Sequence, residues 1–260
     1  MQTEIDNQIK RAIEDFGFRS SVPIFKAIEE DDADHLATGT FISCQNRLFL
    51  LTARHILDDC NPADLAIARS PEGSSLQTLG ISNVFKPVDD PSVDIDILCI
   101  EIKEPEVHTI VKQGWRAVDI SIGKDPELDE DVLLVGYPSA TLKKDGMKLS
   151  GKPTSYRTSV MATAPQSARQ PVSAQLDLFL ALDREGVSFS GDRFCSPAIG
   201  GMSGCAIWQF TKVQNTELWT PDRALRLVGI QASALHGQFF RGKQWRYIKH
   251  VITQACHSTE

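Results

Sequence analysis

Few residues in this chain combine a reactive side chain with a telling context. The stretch "GGMSGCAIW", opening at Gly200, sets one serine, Ser203, between glycines and runs on into a small apolar segment. A serine hydroxyl is a weak nucleophile until a base within hydrogen-bond reach takes its proton, and that base needs an orienting partner. The histidines available are His35, His55, His108, His236, His250 and His257. His55 stands apart, because it closes "RLFLLTARH" and so would sit fixed and partly desolvated at the mouth of an apolar strand. For the orienting acid, "PSVDIDILCIEI" offers Asp94 and Asp96. Residues two apart share one face of a strand, so a strand here predicts that both carboxylates point the same way. A carboxylate leading into "ILCI" needs a partner if it is buried. Each feature alone has a bland reading: a serine in a tight turn, a histidine at a strand end, aspartates at a solvent-facing strand start. No ligand cluster with metal spacing accompanies the two aspartates, so no metal and no cofactor is expected.

The elements that must position these side chains read as short strands. "TGTFIS" and "RLFLLTA", separated by the polar "CQNR" from Cys44 to Arg47, predict a hairpin. Further strands are expected at Leu65–Ala68, Ile95–Ile102, Val132–Val135, Ser155–Thr163, Leu176–Leu182, Cys205–Phe210, Leu225–Gln231 and Gln244–Tyr247. Turn signals such as "KKDG", "REG" and "RGK" fall between them. Ile5, Ile9, Ala12, Ile13 and Phe16 recur at helical spacing over residues 4–16, and a terminal helix can begin at Ile248. The Pro/Ser/Gln-rich "TAPQSARQPVSAQ" reads as a loop, the best candidate for a connection between two halves. Many short strands with few helices argue for an all-β barrel or sandwich.

Composition narrows the function classes. The chain has 260 residues, 42% hydrophobic and 23% charged, enough for one large domain or two small ones. A net charge of −7 offers no basic stripe for phosphate backbones, so no nucleic-acid partner is expected. No apolar run approaches the roughly 18–20 residues of a membrane span. The charged start "MQTEIDNQIKRAIEDF" lacks the apolar core of a secretory signal, so the expected location is cytoplasmic. The cysteines, Cys44, Cys60, Cys99, Cys195, Cys205 and Cys256, form no C-x-x-C pair and are expected to be free and mostly buried.

Taken together and in order, "TARH", "VDIDIL" and "GGMSG" resemble the trypsin-like (chymotrypsin-fold) serine peptidases of the bacterial, disulfide-poor type. "ATGTFIS…LFLLTARHIL" is similar to the family's strand pair ending in Thr-Ala-x-His, and "LRLVGIQAS" to the Val-Gly-Ile strand after the serine turn. The resemblance covers roughly residues 22–252. It implies two six-stranded antiparallel Greek-key β-barrels, about 22–125 and 126–252, after an N-terminal helical extension of 1–21 and with a helix at the C-terminus. Carried over position by position, His55 is the general base, Ser203 the nucleophile and Asp94 the acid, with Asp96 standing where the family usually has a small residue. The N–H groups of Gly201 and Ser203 form the oxyanion hole, and Gln231, Ala232 and Ser233 line the substrate pocket with Cys195 to Ile199. The implied reaction is peptide hydrolysis through an acyl-enzyme: His55 takes the Ser203 proton, and the two amides hold the tetrahedral oxyanion.

Departures from the family wording sharpen the expectation. Met202 precedes the serine where many members carry Asp or Asn, so activation by an ion pair with a freshly cut N-terminus is not expected. No carboxylate sits in the pocket segments to select Lys or Arg, which points to a small or apolar side chain before the cut. The partner is then a protein or peptide substrate. Two alternatives stay open: a catalytically silent module of the same fold that binds peptides or a partner protein, and a structural all-β protein with accidental motifs.

Overall fold

The computed structural model describes the chain apart from residues 1, 30–31, 59, 74, 81, 89, 91, 129, 146–147, 152, 184, 188–192, 196–197, 212–218 and 258–260. Helix α1 (Gln2–Ser20) leads into the first sheet. Its strands are β1 (Ser21–Glu29), β2 (Asp32–Cys44), β3 (Arg47–Thr52), β4 (Leu65–Ala68), β5 (Leu76–Thr78), β6 (Asn83–Phe85), β7 (Leu98–Ile102) and, after helix α2 (Pro105–Gln113), β8 (Val118–Asp119). The chain continues through β9 (Asp131–Gly136), the hairpin β10 (Leu142–Asp145) and β11 (Lys148–Gly151), β12 (Thr154–Ser159) and β13 (Asp177–Ala181). A second hairpin, β14 (Glu185–Val187) and β15 (Arg193–Cys195), precedes β16 (Ala206–Phe210). The one-turn α3 (Pro221–Ala224), β17 (Leu225–Leu235), β18 (Phe239–Gln244) and helix α4 (Trp245–His257) complete it.

The strands form two curled antiparallel sheets, the two-barrel arrangement of the trypsin-like fold, with a helix at each end of the chain. The first sheet runs β5-β4-β1-β2-β3-β7-β6, with β8 added in parallel to β2. It thus carries eight described strands where six were expected, three of them only two or three residues long. The second sheet has six, in the order β12-β9-β16-β17-β18-β13, and a bridge between Val160 and Leu180 brings its two edges together.

Local chemistry explains the hairpin that matters most. Gln45 and Asn46 take positive φ of 50° and 63°, the turn geometry whose twist suits a two-residue hairpin loop. That fixes Cys44 opposite Arg47 and Thr40 opposite Leu51. Between the sheets lies a core drawn from both: Ile42, Phe49 and Leu51 of the hairpin, Leu133 and Val135 of β9, Trp208 of β16, and Trp245, Ile248 and Ile252 of α4. Helix α1 belongs to this core through Ile13 and Phe16, and the Phe16 ring meets Trp208 edge-on at 5.2 Å.

Several expectations are corrected. The predicted strand at Gln244–Tyr247 lies earlier, at Phe239–Gln244, and α4 begins at Trp245. "RGK" is the middle of that strand and not a turn, because Arg241 and Lys243 are buried cations paired with distant carboxylates. Lys143–Asp145 of "KKDG" belong to β10 and lead into the connection to β11, and Glu185 and Gly186 of "REG" belong to β14, while residues 146 and 184 lie outside the described residues. The "TAPQSARQPVSAQ" loop joins β12 to β13 inside the second sheet, whereas the chain passes between sheets after β8. Helix α2 was not anticipated, although Pro105 at its first turn and the buried Val107, Ile110 and Val111 carry a helical signature. Among the described residues no helix is long and apolar enough to cross a membrane.

Candidate active site

Buried β3 ends at Thr52, and the chain turns at once into a short 3-10 helix, Arg54–Leu57. This delivers His55 to the surface with its side chain 43% exposed, while its acid partner is 11% exposed. That partner is Asp96. Its Oδ2 lies 2.7 Å from His55 Nδ1, and its Oδ1 accepts the His55 backbone N–H at 2.9 Å. One carboxylate thus fixes both the ring and the main chain of the histidine. In the neutral ring, with Nδ1–H given to Asp96, Nε2 is the acceptor. The hydrogen bond that the ring donates to Asp96 raises the His55 pKa, burial opposes it, and the charges of Asp96, Asp58 and Asp94 add to the rise. Burial pushes the Asp96 carboxyl up, but the ring hydrogen bond and charge of His55, its N–H and the Lys243 charge together hold it below its usual value.

Asp94, expected to be the orienting acid, makes other contacts. Its Oδ2 lies 3.3 Å from both Arg241 Nη1 and Lys243 Nζ, and Lys243 also donates to its backbone carbonyl. Both cations are buried, and both share Asp177: Arg241 binds its two oxygens at 2.9 and 2.7 Å, and Lys243 binds Oδ1 at 2.8 Å. The alternation argument fails here for a physical reason. Residues 94–97 precede β7, which begins at Leu98, so no ladder imposes a common face on the two aspartates.

Ser203 sits in the turn 200–204 between Gly201 (φ 90°) and Gly204 (φ 86°), backbone conformations that favour glycine. A Cβ on Gly204 would come within 2.2 Å of Thr38 O and Thr52 Oγ1, and one on Gly201 within 2.4 Å of His35 Cε1. The turn is bolted to both sheets. Thr38 N donates to Ser203 O at 2.9 Å, Thr38 Oγ1 to Gly201 O at 2.9 Å, and Gly204 N to Gln231 O at 2.6 Å. Ser139 N donates to Gly200 O at 2.7 Å, and Ser139 Oγ meets His35 Nδ1 at 2.8 Å. Burial lowers the His35 pKa to about 4, against a backbone hydrogen bond at Ala37, so this ring is neutral near pH 7. Met202, fully buried, anchors the turn in the core of the second barrel with Cys205 and Tyr156. Among the described residues, the N–H groups of Gly201 and Ser203 have no acceptor, and neither does Ser203 Oγ hydrogen-bond to His55.

His55, Asp94, Asp96, Ser203, Gln231, Ala232 and Ser233 all line one cleft of about 730 Å³. Gly201 is not among its lining residues, though its neighbour Gly200 is. Ala232 is the extra residue of a bulge, since Gln231 pairs with Gly242 and Ser233 with Arg241. The bulge leaves Ser233 exposed on the cleft while Gln231 is buried. Ile199 also lines the cleft, while residues 196–197 of the expected pocket lie outside the described residues. Sequence reasoning missed the Asp94–Arg241–Lys243–Asp177 cluster and the bracing by Thr38, His35 and Ser139. Nothing in the local sequence marks pairs so far apart, but two cations in a strand of buried residues could have signalled buried partners. Among the described residues no group of three or more His, Cys, Asp or Glu gathers as a metal site.

No family profile and no curated protein matches this chain by sequence. Its fold does match solved structures. A scabies mite inactivated protease paralogue, S-I1, superposes with a TM-score of 0.55 at 17% identity over 92% of this chain and 96% of the other. A second scabies mite inactivated protease paralogue, S-D1, gives 0.55 at 14% identity over 95% and 96%. The atomic-resolution structure of HBP gives 0.56 at 13% over 94% and 93%. These likenesses are to chymotrypsin-fold proteins, and they define the fold.

Proposed function

We propose that this protein is a serine endopeptidase in which Ser203 attacks the scissile carbonyl, His55 acts as general base and then general acid, and Asp96 orients His55. The observation that carries the reading is the double grip of Asp96 on His55, which leaves Nε2 as the acceptor in the cleft that Ser203 also lines. As Ser203 Oγ attacks, its proton passes to His55 Nε2, and Asp96 stabilises the imidazolium. The free N–H groups of Gly201 and Ser203 receive the oxyanion, and His55 then protonates the leaving amine. Water repeats the sequence to release the acyl group. Gln231, Ala232 and Ser233 form one wall for the substrate chain, with a small or apolar residue preferred before the cut. The Ser203–His55 hydrogen bond closes on substrate binding, as such contacts commonly tighten from the unliganded state. We read the protein as cytoplasmic and of the disulfide-poor type, a reading that the free thiols of Cys44, Cys60, Cys99, Cys205 and Cys256 support.

A second reading has one observation in its favour: the open Ser203–His55 contact suits a silent module that binds peptides without cutting. A fluorophosphonate probe separates the two. The peptidase predicts covalent labelling at Ser203, lost in Ser203→Ala and in His55→Ala. Folded protein that binds peptides yet resists the probe and cleaves none of a diverse peptide library is the silent module.

A further inference from the structure

Cys44 and Cys256 come from distant parts of the chain and meet at the edge of the central core. Cys44 ends β2 and Cys256 lies in the last turn of α4, yet their Sγ atoms are 2.6 Å apart. That is about 0.6 Å beyond the ~2.05 Å of a covalent S–S bond. The approach is held by named partners. Arg47, opposite Cys44 across the hairpin turn, donates from Nη1 to Ala255 O at 2.7 Å and to Cys256 O at 2.9 Å. Those are carbonyls that the end of a helix leaves without an intrahelical partner. Arg47 Nε in turn binds Glu101 Oε1 at 2.7 Å, and Asn83 Nδ2 holds Glu101 Oε2 at 2.9 Å. The guanidinium is therefore fixed on one side by β7 and β6 and clamps the end of α4 on the other. Below, Ala255 and Cys99 are fully buried in the core shared by both sheets.

We propose that Cys44 and Cys256 are a disulfide-forming pair that accepts oxidising equivalents from a small-molecule disulfide such as glutathione disulfide. Cys256, the partly exposed member, attacks as thiolate on one glutathione sulfur. The S–S bond of glutathione breaks, and one glutathione leaves and takes up a proton. Cys44 then loses its proton and attacks the Cys256 sulfur, releasing the second glutathione. Two protein thiols are oxidised to one disulfide, and glutathione disulfide is reduced to two glutathione thiols. The new bond ties α4 to β2 and closes residues 44–256 into one loop. Among the described residues, Cys99 and Cys205 are fully buried, and that burial raises both thiols far above their ordinary range. Cys60 is engaged with the Asn61 carbonyl at 3.3 Å. Burial first, then the hydrogen bond with Cys44, pushes the Cys256 thiol up to about 12. Exchange is therefore slow at neutral pH and quickens roughly tenfold per pH unit as thiolate appears. The proposal does not depend on the peptidase reading.

The test uses the full chain, exposed to glutathione disulfide at alkaline pH, then blocked with iodoacetamide and digested without reduction. Mass spectrometry is expected to find the Cys44 and Cys256 peptides linked and lighter by two hydrogens. The thermal midpoint should rise by about 5–10 °C. Dithiothreitol should undo both effects, and Cys256→Ser should abolish both. Three outcomes overturn the proposal: both cysteines alkylated after prolonged exposure, glutathione retained on Cys256 beside an alkylated Cys44, or a link that runs through another cysteine. Because the linked mass is read on the unmutated chain, a poorly folding variant does not blur the result.

Discussion

Asp96→Asn tests the chemistry most directly, because both carboxylate oxygens are committed to His55. An asparagine keeps one acceptor and brings one NH₂ group. If its oxygen keeps the His55 backbone N–H, the NH₂ faces Nδ1, and the ring proton must move to Nε2. Nε2 then cannot accept the Ser203 proton. The flipped amide instead sets NH₂ against a backbone N–H, leaving a partly buried donor unsatisfied at a cost of about 1–3 kcal/mol. The wrong tautomer therefore prevails, and the imidazolium also loses its counter-charge. A comparable loss in a serine triad lowers turnover by about 10⁴, or roughly 5.4 kcal/mol at 1.36 kcal/mol per decade. Peptide hydrolysis by Asp96→Asn should accordingly fall 10³–10⁴-fold in kcat with KM within about threefold. Asp94→Asn should lose less than about tenfold, since Asp94 faces Arg241 and Lys243 instead of His55. Steady-state kinetics on one peptide, with circular dichroism to verify folding, read both variants. The opposite order, with Asp94→Asn inactive and Asp96→Asn active, would refute the assignment of the acid.

Other outcomes follow from the same geometry. His55 must be neutral to act as base and its pKa is raised, first by the Asp96 hydrogen bond, so kcat/KM should fall along an acid limb whose midpoint lies above the usual 6.5. Gly201→Ala sets a Cβ within 2.4 Å of His35 Cε1 at a φ of 90°; the turn must shift, and kcat should drop by about 10²–10³ as one oxyanion donor is lost. Asp177→Asn leaves the half-exposed Asp94 as the one carboxylate paired with buried Arg241 and Lys243 among the described residues, and urea unfolding should show a loss of about 3–5 kcal/mol. Burial raises the Asp177 pKa, but Arg241 and Lys243 lower it further, so the folded value is depressed below 3.8. Its stabilisation is thus complete above that unfolded value and fades as pH falls through the folded one. A wild-type acid titration should lose stability there, and the variant should lose less.

How much of this was legible in the sequence depends on how local the determining physics is. The β2–β3 hairpin could be read from "CQNR" because two turn residues with positive φ are a local property. Strand β4 falls where its β-branched and aliphatic run ends. Strand β18 was misread because its charges mimic a turn, and partners far away in sequence, Asp177 and Asp94, make Arg241 and Lys243 tolerable in a buried strand. The resemblance put Asp94 in the place of the acid, whereas Asp96 is the carboxylate that binds His55, and periodicity offered no choice between the two. Periodicity says where a side chain points only when a ladder holds the backbone, and here the ladder starts two residues after Asp96.

The serine turn shows what the family wording leaves out. Met202 stands where the peptidases that the chain resembles often carry Asp or Asn, and a turn with no ion pair at that position needs another support. It has two. Met202 is sunk in the apolar core of the second barrel, while Thr38 on the first sheet takes hold of both Ser203 O and Gly201 O. The peptide planes that carry the Gly201 and Ser203 N–H groups are held through their own carbonyls, Gly200 O accepting Ser139 N at 2.7 Å and Met202 O accepting Cys205 N at 3.0 Å, and both N–H groups are without acceptors among the described residues. Thr38 Oγ1 also accepts Tyr137 N at 2.9 Å, and Thr52 Oγ1 donates to Thr38 O at 2.9 Å, so this one residue joins both sheets and the strand that delivers His55. Burial of Met202 and a threonine at the seam between the barrels thus hold the serine turn in place.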